Sequence, residues 1–553
     1  MAQSPIFSRV KAEYARTSLF NLGHEVKLTT AIGRLTPILC KEVLPGDTWR
    51  CNTEILVRLA PMLFPLMHQI KVYTHFFFVP YRLLWDNWET FITQSSQGAF
   101  TADAPKQIPL LNIQEYLGNG SLADYLGCQD YDTEETNIGE RREDFYVNAL
   151  PFYAYQKIYD DYYRDENLQD SDFEMCQDSP NPVSVGDYPL NLRYRSWKKD
   201  YFTSALPFVQ KGPDITLPIG GEAPLNGSVH LFSNNVEIPP NTIRQFRFID
   251  GDTGPTSQVY FNSSESSFES GDENKEIYGS IPGQKGSIDA NLSLVGGSAD
   301  LSQATAVTIN ELRRANALQR WEELNARGGT RYIEQLATHF NVRPQDARLQ
   351  RAQFLGGGVS DVVISEVIQN SASVTGETPQ GNMAGHGISA SFNHAFKNYF
   401  SEHGVVIGIM SIMPRAEYYQ GVDRMFLKRG VYDFAWPSLA HLGEQPIYES
   451  ELYASAPPED PETEDKIFGY TPRYAEYKFA NDRICGDFRG GSLSAWHMGR
   501  KFANAPNLNG QFIDTSNFKT NVFADLTGDP FWCQLYLDCK VTRKLPKFGT
   551  PRL

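Results

Sequence analysis

Cysteine is scarce in this 553-residue chain: there are seven, and no two form a C-x-x-C pair. That excludes a disulfide-built scaffold and the common cysteine-rich zinc patterns, and fits reduced thiols in a cytosol. Long apolar runs are also missing. Gly404 to Met413 is the longest, well short of the roughly 20 residues that cross a bilayer. The opening MAQSPIFSRVKAEYARTSLF has no apolar h-region, so no signal peptide is expected. Positive charge is outweighed, with 50 Lys and Arg against 66 Asp and Glu and a net charge of −16. A chain-wide electrostatic grip on nucleic acid is thereby excluded, and any such contact has to be local or mediated by a basic partner.

Catalytic motifs are absent too. Gly356-Gly357-Gly358 lacks the following Lys and Ser/Thr of a phosphate loop, and no G-x-S-x-G elbow occurs. His394 and His403 have no Cys or carboxylate cluster nearby in sequence to complete a zinc site. Acidic pairs such as Asp160-Asp161 leave a glycosidase-like carboxylate pair as an alternative. Their crowding in one charged segment favours a solvated face. The expectation is no catalytic residue, no metal and no cofactor.

What is present points to a loop-rich β protein. The 43 Gly and 33 Pro supply turns, and 41% hydrophobic residues suffice for a large core. Trp49 to Leu59 alternates apolar with mostly polar side chains, and Phe531 to Thr542 does so more cleanly. Ile70 to Val79 and Gly404 to Met413 are apolar on both faces, as in strands covered on both sides. Strands at both ends of the chain predict a sandwich closed by pairing early with late segments. His75, among aromatics, reads as a satisfied core histidine. Cys533 and Cys539 share one strand face about 20 Å apart, at roughly 3.3 Å per residue, too far for one ion. Cys40 and Cys51 lie on neighbouring strand-like runs. Buried thiols are the expectation for all four.

Four regions divide the chain. Residues 1–20 read as a weakly patterned N-terminal arm. Residues 21–211 hold the first strands and an acidic surface excursion at about 121–190, with 17 acids against 4 bases. Residues 212–298 turn Gly-, Ser- and Asn-rich with short alternating runs, the signature of a hairpin-based insertion displayed outward. Residues 299–553 bring helices, returning strands and a basic tail. Thr308 to Ala326 has capping-box spacing and a helical apolar period, and Gly328-Gly329 ends it. Thr330 is placed to cap a second helix carrying Ile333, Leu336, Ala337 and Phe340, which Pro344 bars from continuing.

Two basic groups stand out. Arg193, Arg195, Trp197, Lys198 and Lys199 interleave cations with aromatics, a pattern suited to phosphate contact and base stacking. Lys540, Arg543, Lys544, Lys547 and Arg552 form a tail without an acid after residue 538. Both are candidate contacts for single-stranded DNA, against the alternative of a subunit interface or solvated edge.

RGGTRYIEQLATHFNVRPQDARLQRAQFLGG, from Arg327 to Gly357, closely resembles a signature block of the major capsid proteins of gokushovirus-type Microviridae. Further blocks in the same order are similar to that family: NLGHEVKLTTAIGRLTPILCKEVLPGD from Asn21, RLAPMLFPLMHQIKVYTHFFFVPYRLLW from Arg58, FSEHGVVIGIM from Phe400 and YDFAWPSLAHLGEQPIY from Tyr432. The resemblance implies a mainly β fold, an eight-stranded antiparallel jelly roll with long loop and helical insertions. It implies self-assembly into a T=1 icosahedral shell around circular single-stranded DNA. A small basic DNA-binding phage protein is an implied partner, and residues 212–298 match the family's threefold protrusion, a candidate for contact with a host receptor. Arg327, Arg331, Arg343, Arg348, Gln350 and Arg351 are then candidate subunit contacts. The rival reading is a large β-sandwich glycan-binding or glycoside-hydrolase protein.

Overall fold

A computed structural model describes residues 17–93, 107–128, 145–177, 189–213, 309–368, 383–454, 466–516 and 528–548, with shorter pieces between them. Contacts divide the chain into two compact units, residues 213–321 and the remainder.

Among the described residues, the two main sheets of the larger unit contain ten strands. They are β1 (Ser18–Asn21), β2 (His24–Thr30), β3 (Thr36–Val43), β4 (Thr48–Leu59), β5 (Ile70–Pro80), β6 (Gln353–Asp361), β7 (Val363–Ile368), β8 (Met383–Tyr399), β9 (Gly404–Pro414) and β10 (Phe531–Arg543). One sheet runs β1-β10-β4-β8-β7, with β2 also paired to β10; the other runs β6-β5-β9-β3. All these pairings are antiparallel. From β2 to β5 each strand crosses to the opposite sheet, and β8, β9 and β10 do so again. That alternation is the winding of a jelly roll, and it places the last strand between the second and the fourth. The expected mainly β sandwich is therefore observed. The ten strands of the two sheets exceed the anticipated eight because β1 and β2 divide one side of β10 between them, and β7 adds an edge beyond β8.

The alternation read from sequence becomes the inter-sheet core. In β10 the odd positions Phe531 to Val541 are buried, and the even positions are exposed or half-buried. β4 buries Trp49, Cys51, Thr53, Ile55, Val57 and Leu59 in the same way. Phe76, Val72, Val406 and Met410 meet them from the other sheet. Every residue of β9 is buried, because helices and loops cover its second face.

That second face overturns one expectation. The middle of the acidic stretch is not a surface excursion. Helix α1 (Leu150–Ile158) buries Leu150, Phe152, Tyr153, Ala154, Tyr155 and Ile158 against Phe77, Val79, Ile407 and Ile409. Charge averaged over 70 residues hid an apolar run, ALPFYAYQKI, at its centre. Residues 129–144 and 178–188 of the stretch lie outside the described residues. Tyr155 Oη donates to the Leu35 carbonyl at 2.8 Å, tying the helix to the sandwich. A third cluster joins Tyr201, Phe202, Ile447, Phe468 and Phe512.

Within the arm, residues 1–16 lie outside the described residues, while Ser18–Asn21 is already strand. The smaller unit begins at Pro213, next to the expected start of the insertion. It includes an antiparallel sheet in which Gln245–Ile249 lies between Pro255–Tyr260 and Ile277–Gly279. Most of residues 214–308 lie outside the described residues. Helix α2 (Ile309–Gly328) and helix α3 (Tyr332–Phe340) form where their periodicity predicts. Gly329, at φ +101°, makes the left-handed exit that a side chain would strain. At the start of α3, the Glu334 carboxylate accepts from the Arg331 backbone N–H at 3.1 Å. Thr330 bonds Asn167 instead of capping the helix.

Candidate assembly and nucleic-acid surfaces

The signature block is tied first to its own subunit. Arg331 donates to Glu166 at 2.9 Å and to the carbonyls of Asp160 and Arg164 at 3.0 and 2.8 Å. Arg351 donates to the Asp161 carbonyl at 2.8 Å and lies 4.3 Å from the Tyr162 ring centroid. Arg327 forms an ion pair with Glu444, and burial lowers its pKa to about 10. These three arginines staple the helix–helix junction to the turn after α1 and to the strand Glu444–Tyr448. The acids of that turn are largely partners of internal cations, which explains why they stand so close together: Asp160 takes Arg164, Asp161 takes Lys157 and Asp165 takes Lys199. Arg343 and Arg348 are exposed, and Gln350, exposed at a left-handed φ of 54°, accepts from Arg82.

The first basic group divides similarly. Trp197 is buried, edge-on to Phe518 and beside the Arg500 guanidinium; a base has no access to stack on it. Arg193 donates to Gln156 and Asp172, both at 2.6 Å. Lys199 is paired with Asp165. Arg195 stacks over Tyr73, 4.3 Å from its centroid, and donates to Ser411 at 3.2 Å. Among the described residues no carboxylate pairs with Arg195 or with the exposed Lys198.

Arg195 and Lys198 line the same cavity of about 1020 Å³ as Arg327 and Arg331. Two sequence blocks over 120 residues apart thus converge. Its other walls include His75, Tyr163 and the half-exposed Phe354. Burial, reinforced by the Arg195 charge, lowers the His75 pKa to about 4. The ring is therefore neutral near pH 7, and its Nδ1 lies 2.7 Å from the Tyr163 hydroxyl. The cavity combines flat rings and two cations free of acidic partners with the carboxylates of Asp165, Glu166, Glu334 and Asp346.

In the tail, Arg543 is held by Asp47 at 2.8 Å and donates to the Glu42 carbonyl at 2.8 Å. Lys540 pairs with Asp538 at 3.3 Å. Lys544 and Lys547 are exposed, and Arg552 lies outside the described residues.

One surface escaped the sequence reading. Between β9 and the strand Glu444–Tyr448, Met425, Phe426, Val431, Tyr432, Phe434, Trp436 and Leu442 are 46–74% exposed. The segment is nonetheless locally fixed. Asp433 accepts from the N–H groups of Arg429 and Gly430 at 2.8 and 2.7 Å. Trp436 Nε1 donates to the Val431 carbonyl at 2.9 Å, and Arg424 anchors the base on Glu451 at 2.9 Å. Its aromatic content was visible in YDFAWPSLAHL, but the run lacks a period of 2 or 3.6 to reveal which way it faces. These seven side chains thus form an exposed apolar stretch on a locally fixed segment.

Jelly-roll winding, a preorganised wet apolar arm and cations bound up inside the subunit define a class: a structural protein that acts through surfaces presented to other chains. Sequence comparison gives the family. Residues 8–553 match the family of phage capsid proteins described as "Capsid protein (F protein)", and the chain belongs to it. It is 34% identical to capsid protein VP1 of Chlamydia phage 1 over 599 residues, covering 99% of this chain and 97% of that protein. It is 36% identical to capsid protein VP1 of Bdellovibrio phage phiMH2K and 30% identical to that of Spiroplasma virus 4, with the same coverage. The resemblance to gokushovirus-type Microviridae capsid proteins holds over the whole chain. A capsid protein self-associates into a shell and resides in the virion, so the glycan-active alternative is not favoured.

Proposed function

We propose that this chain is the non-enzymatic major subunit of a T=1 icosahedral shell, assembled in the bacterial cytoplasm around a circular single-stranded DNA genome. The observation that carries this reading is the Met425–Leu442 arm. Its large apolar side chains are held by local hydrogen bonds in a conformation that leaves them in water until a neighbouring copy covers them. Symmetry then multiplies a modest contact over every subunit. Arg343, Arg348 and Gln350 belong to the same kind of surface. Arg195 and Lys198, with Lys544 and Lys547 in the tail, are the candidates for contact with DNA. A net charge of −16 supports a small basic DNA-binding protein as a further partner. Residues 212–298 carry the outward protrusion and the contact with a host receptor.

The test is negative-stain microscopy of purified protein with assay of packaged nucleic acid. Closed uniform shells containing nuclease-protected single-stranded DNA are expected. Persistent monomers under all assembly conditions would overturn the reading.

A further inference from the structure

Cys51 and Cys539 come from opposite ends of the sequence, yet they are direct Cα partners in the β4–β10 ladder. Both are fully buried in the inter-sheet core and both are free thiols. The kind of pairing follows from one hydrogen bond. The Cys539 carbonyl accepts from the Leu22 N–H at 2.8 Å, so the polar groups of Cys539 face the β1–β2 side. The N–H and C=O of a strand residue point the same way, so Cys539 opposes Cys51 as a non-hydrogen-bonded pair. In such pairs the Cα atoms approach to about 4.5 Å and the side chains are closest, inside the range of about 4.4–6.8 Å that a disulfide spans. The neighbouring Cys539 thiol, together with burial, holds Cys51 above the ordinary thiol range, and the Cys51 Sγ donates to the Asn52 carbonyl at 3.8 Å.

We propose that Cys51 and Cys539 form a latent cross-strand disulfide that locks the last strand to the centre of the roll when the protein meets an oxidant. The oxidant class is a small neutral peroxide, which can enter where a bulky disulfide cannot. One thiolate attacks a peroxide oxygen and becomes a sulfenic acid. The other sulfur attacks that sulfenic sulfur, a disulfide forms and water leaves. Two thiols and one hydrogen peroxide give one disulfide and two waters. Because the thiolate is the nucleophile, the depressed ionisation of Cys51 makes the lock slow at neutral pH. A chain made in a reducing cytosol keeps it open, and exposure to an oxidising exterior closes it. Neighbouring Cys533 opposes Val57 in the same ladder and takes no part.

Folded protein is treated with hydrogen peroxide at pH 7, 8 and 9, then denatured with an alkylating agent and digested without reductant. The expected product is one peptide pair linking Cys51 to Cys539, absent from Cys51→Ser and from Cys539→Ser. Its rate of formation rises from pH 7 to pH 9, following the thiolate fraction. Exposed Cys485 serves as the internal control for oxidant. If Cys485 is fully oxidised while Cys51 and Cys539 remain thiols, become sulfinic acids or pair elsewhere, the proposal fails. Peptide mapping of the unmutated chain decides this even where a serine variant does not fold.

Discussion

Two aromatic-rich regions of one subunit meet opposite fates. On β5, Phe76 sits fully buried between the sheets, while on the Met425–Leu442 arm Phe426 and Tyr432 stand in water. Composition does not separate them; periodicity and partners do. β5 lies between β6 and β9, so its backbone is paired on both sides and its side chains are enclosed. The arm is ordered by short-range hydrogen bonds that satisfy its backbone but enclose nothing. One region uses apolar area to fold the subunit; the other leaves it exposed.

The sharpest way to break this comparison is to truncate each side in turn. Phe76→Ala empties a fully enclosed site and is expected to cost about 3–5 kcal/mol. Denaturant unfolding of the soluble subunit measures it, and a change below about 1 kcal/mol would mean the inter-sheet core is misassigned.

Acid probes the opposite face of the same strand. The folded pKa of His75 is about 4, below its ordinary 6.5, so the folded state favours the neutral ring and the unfolded chain takes up the proton first. The contribution of His75 is complete above about pH 6.5 and drains as pH falls towards 4. Full linkage over that interval amounts to roughly 3 kcal/mol. His75→Gln should remove that part of the slope of stability against pH between 6.5 and 4, read by denaturant titration at each pH. An unchanged slope would show that His75 does not titrate as its burial requires.

On the arm, the paired change Phe426→Ser and Tyr432→Ser should move subunit stability by less than about 1 kcal/mol, as surface substitutions do, while shell yield by sedimentation falls at least tenfold. Equal losses of stability and assembly would erase the distinction between the regions.

The legible parts of this protein are those whose physics is local. Alternation in Phe531–Arg543 marked the strand and its buried face because a strand's side chains alternate whatever its neighbours are. Helices α2 and α3 carried their own start and stop signals. What depended on topology was hidden. Cys539 was weighed beside Cys533, its neighbour in sequence, but its structural partner is Cys51, which only the winding of the roll brings opposite. The burial of the helix Leu150–Ile158 was masked by the acids around it, some paired with near neighbours, as Asp160 is with Arg164, and some with distant cations, as Asp165 is with Lys199. Arg327, Arg331 and Arg351 were legible as a cluster, but whether an arginine meets its own subunit or a neighbour depends on where distant carboxylates fold.

That last ambiguity also governs the basic residues, and it leads to the smallest expected effect on the subunit. Arg195 and Lys198 differ from Arg193 and Lys199 in having no carboxylate partner among the described residues. A cation already neutralised by a fixed acid releases few counterions from DNA, whereas an unpaired one contributes nearly a full unit to the salt dependence of binding. Lys198→Gln is therefore expected to leave unfolding within about 0.5 kcal/mol of the unmutated subunit and to lower the slope of log affinity against log salt for single-stranded DNA by about 0.7. Lys199→Gln also removes one positive charge, but its carboxylate partner leaves less to lose, and its slope should barely move. Equal slope changes for the two lysines would mean that pairing inside the subunit does not determine which cations bind single-stranded DNA, and the cavity would lose its claim over the rest of the basic surface.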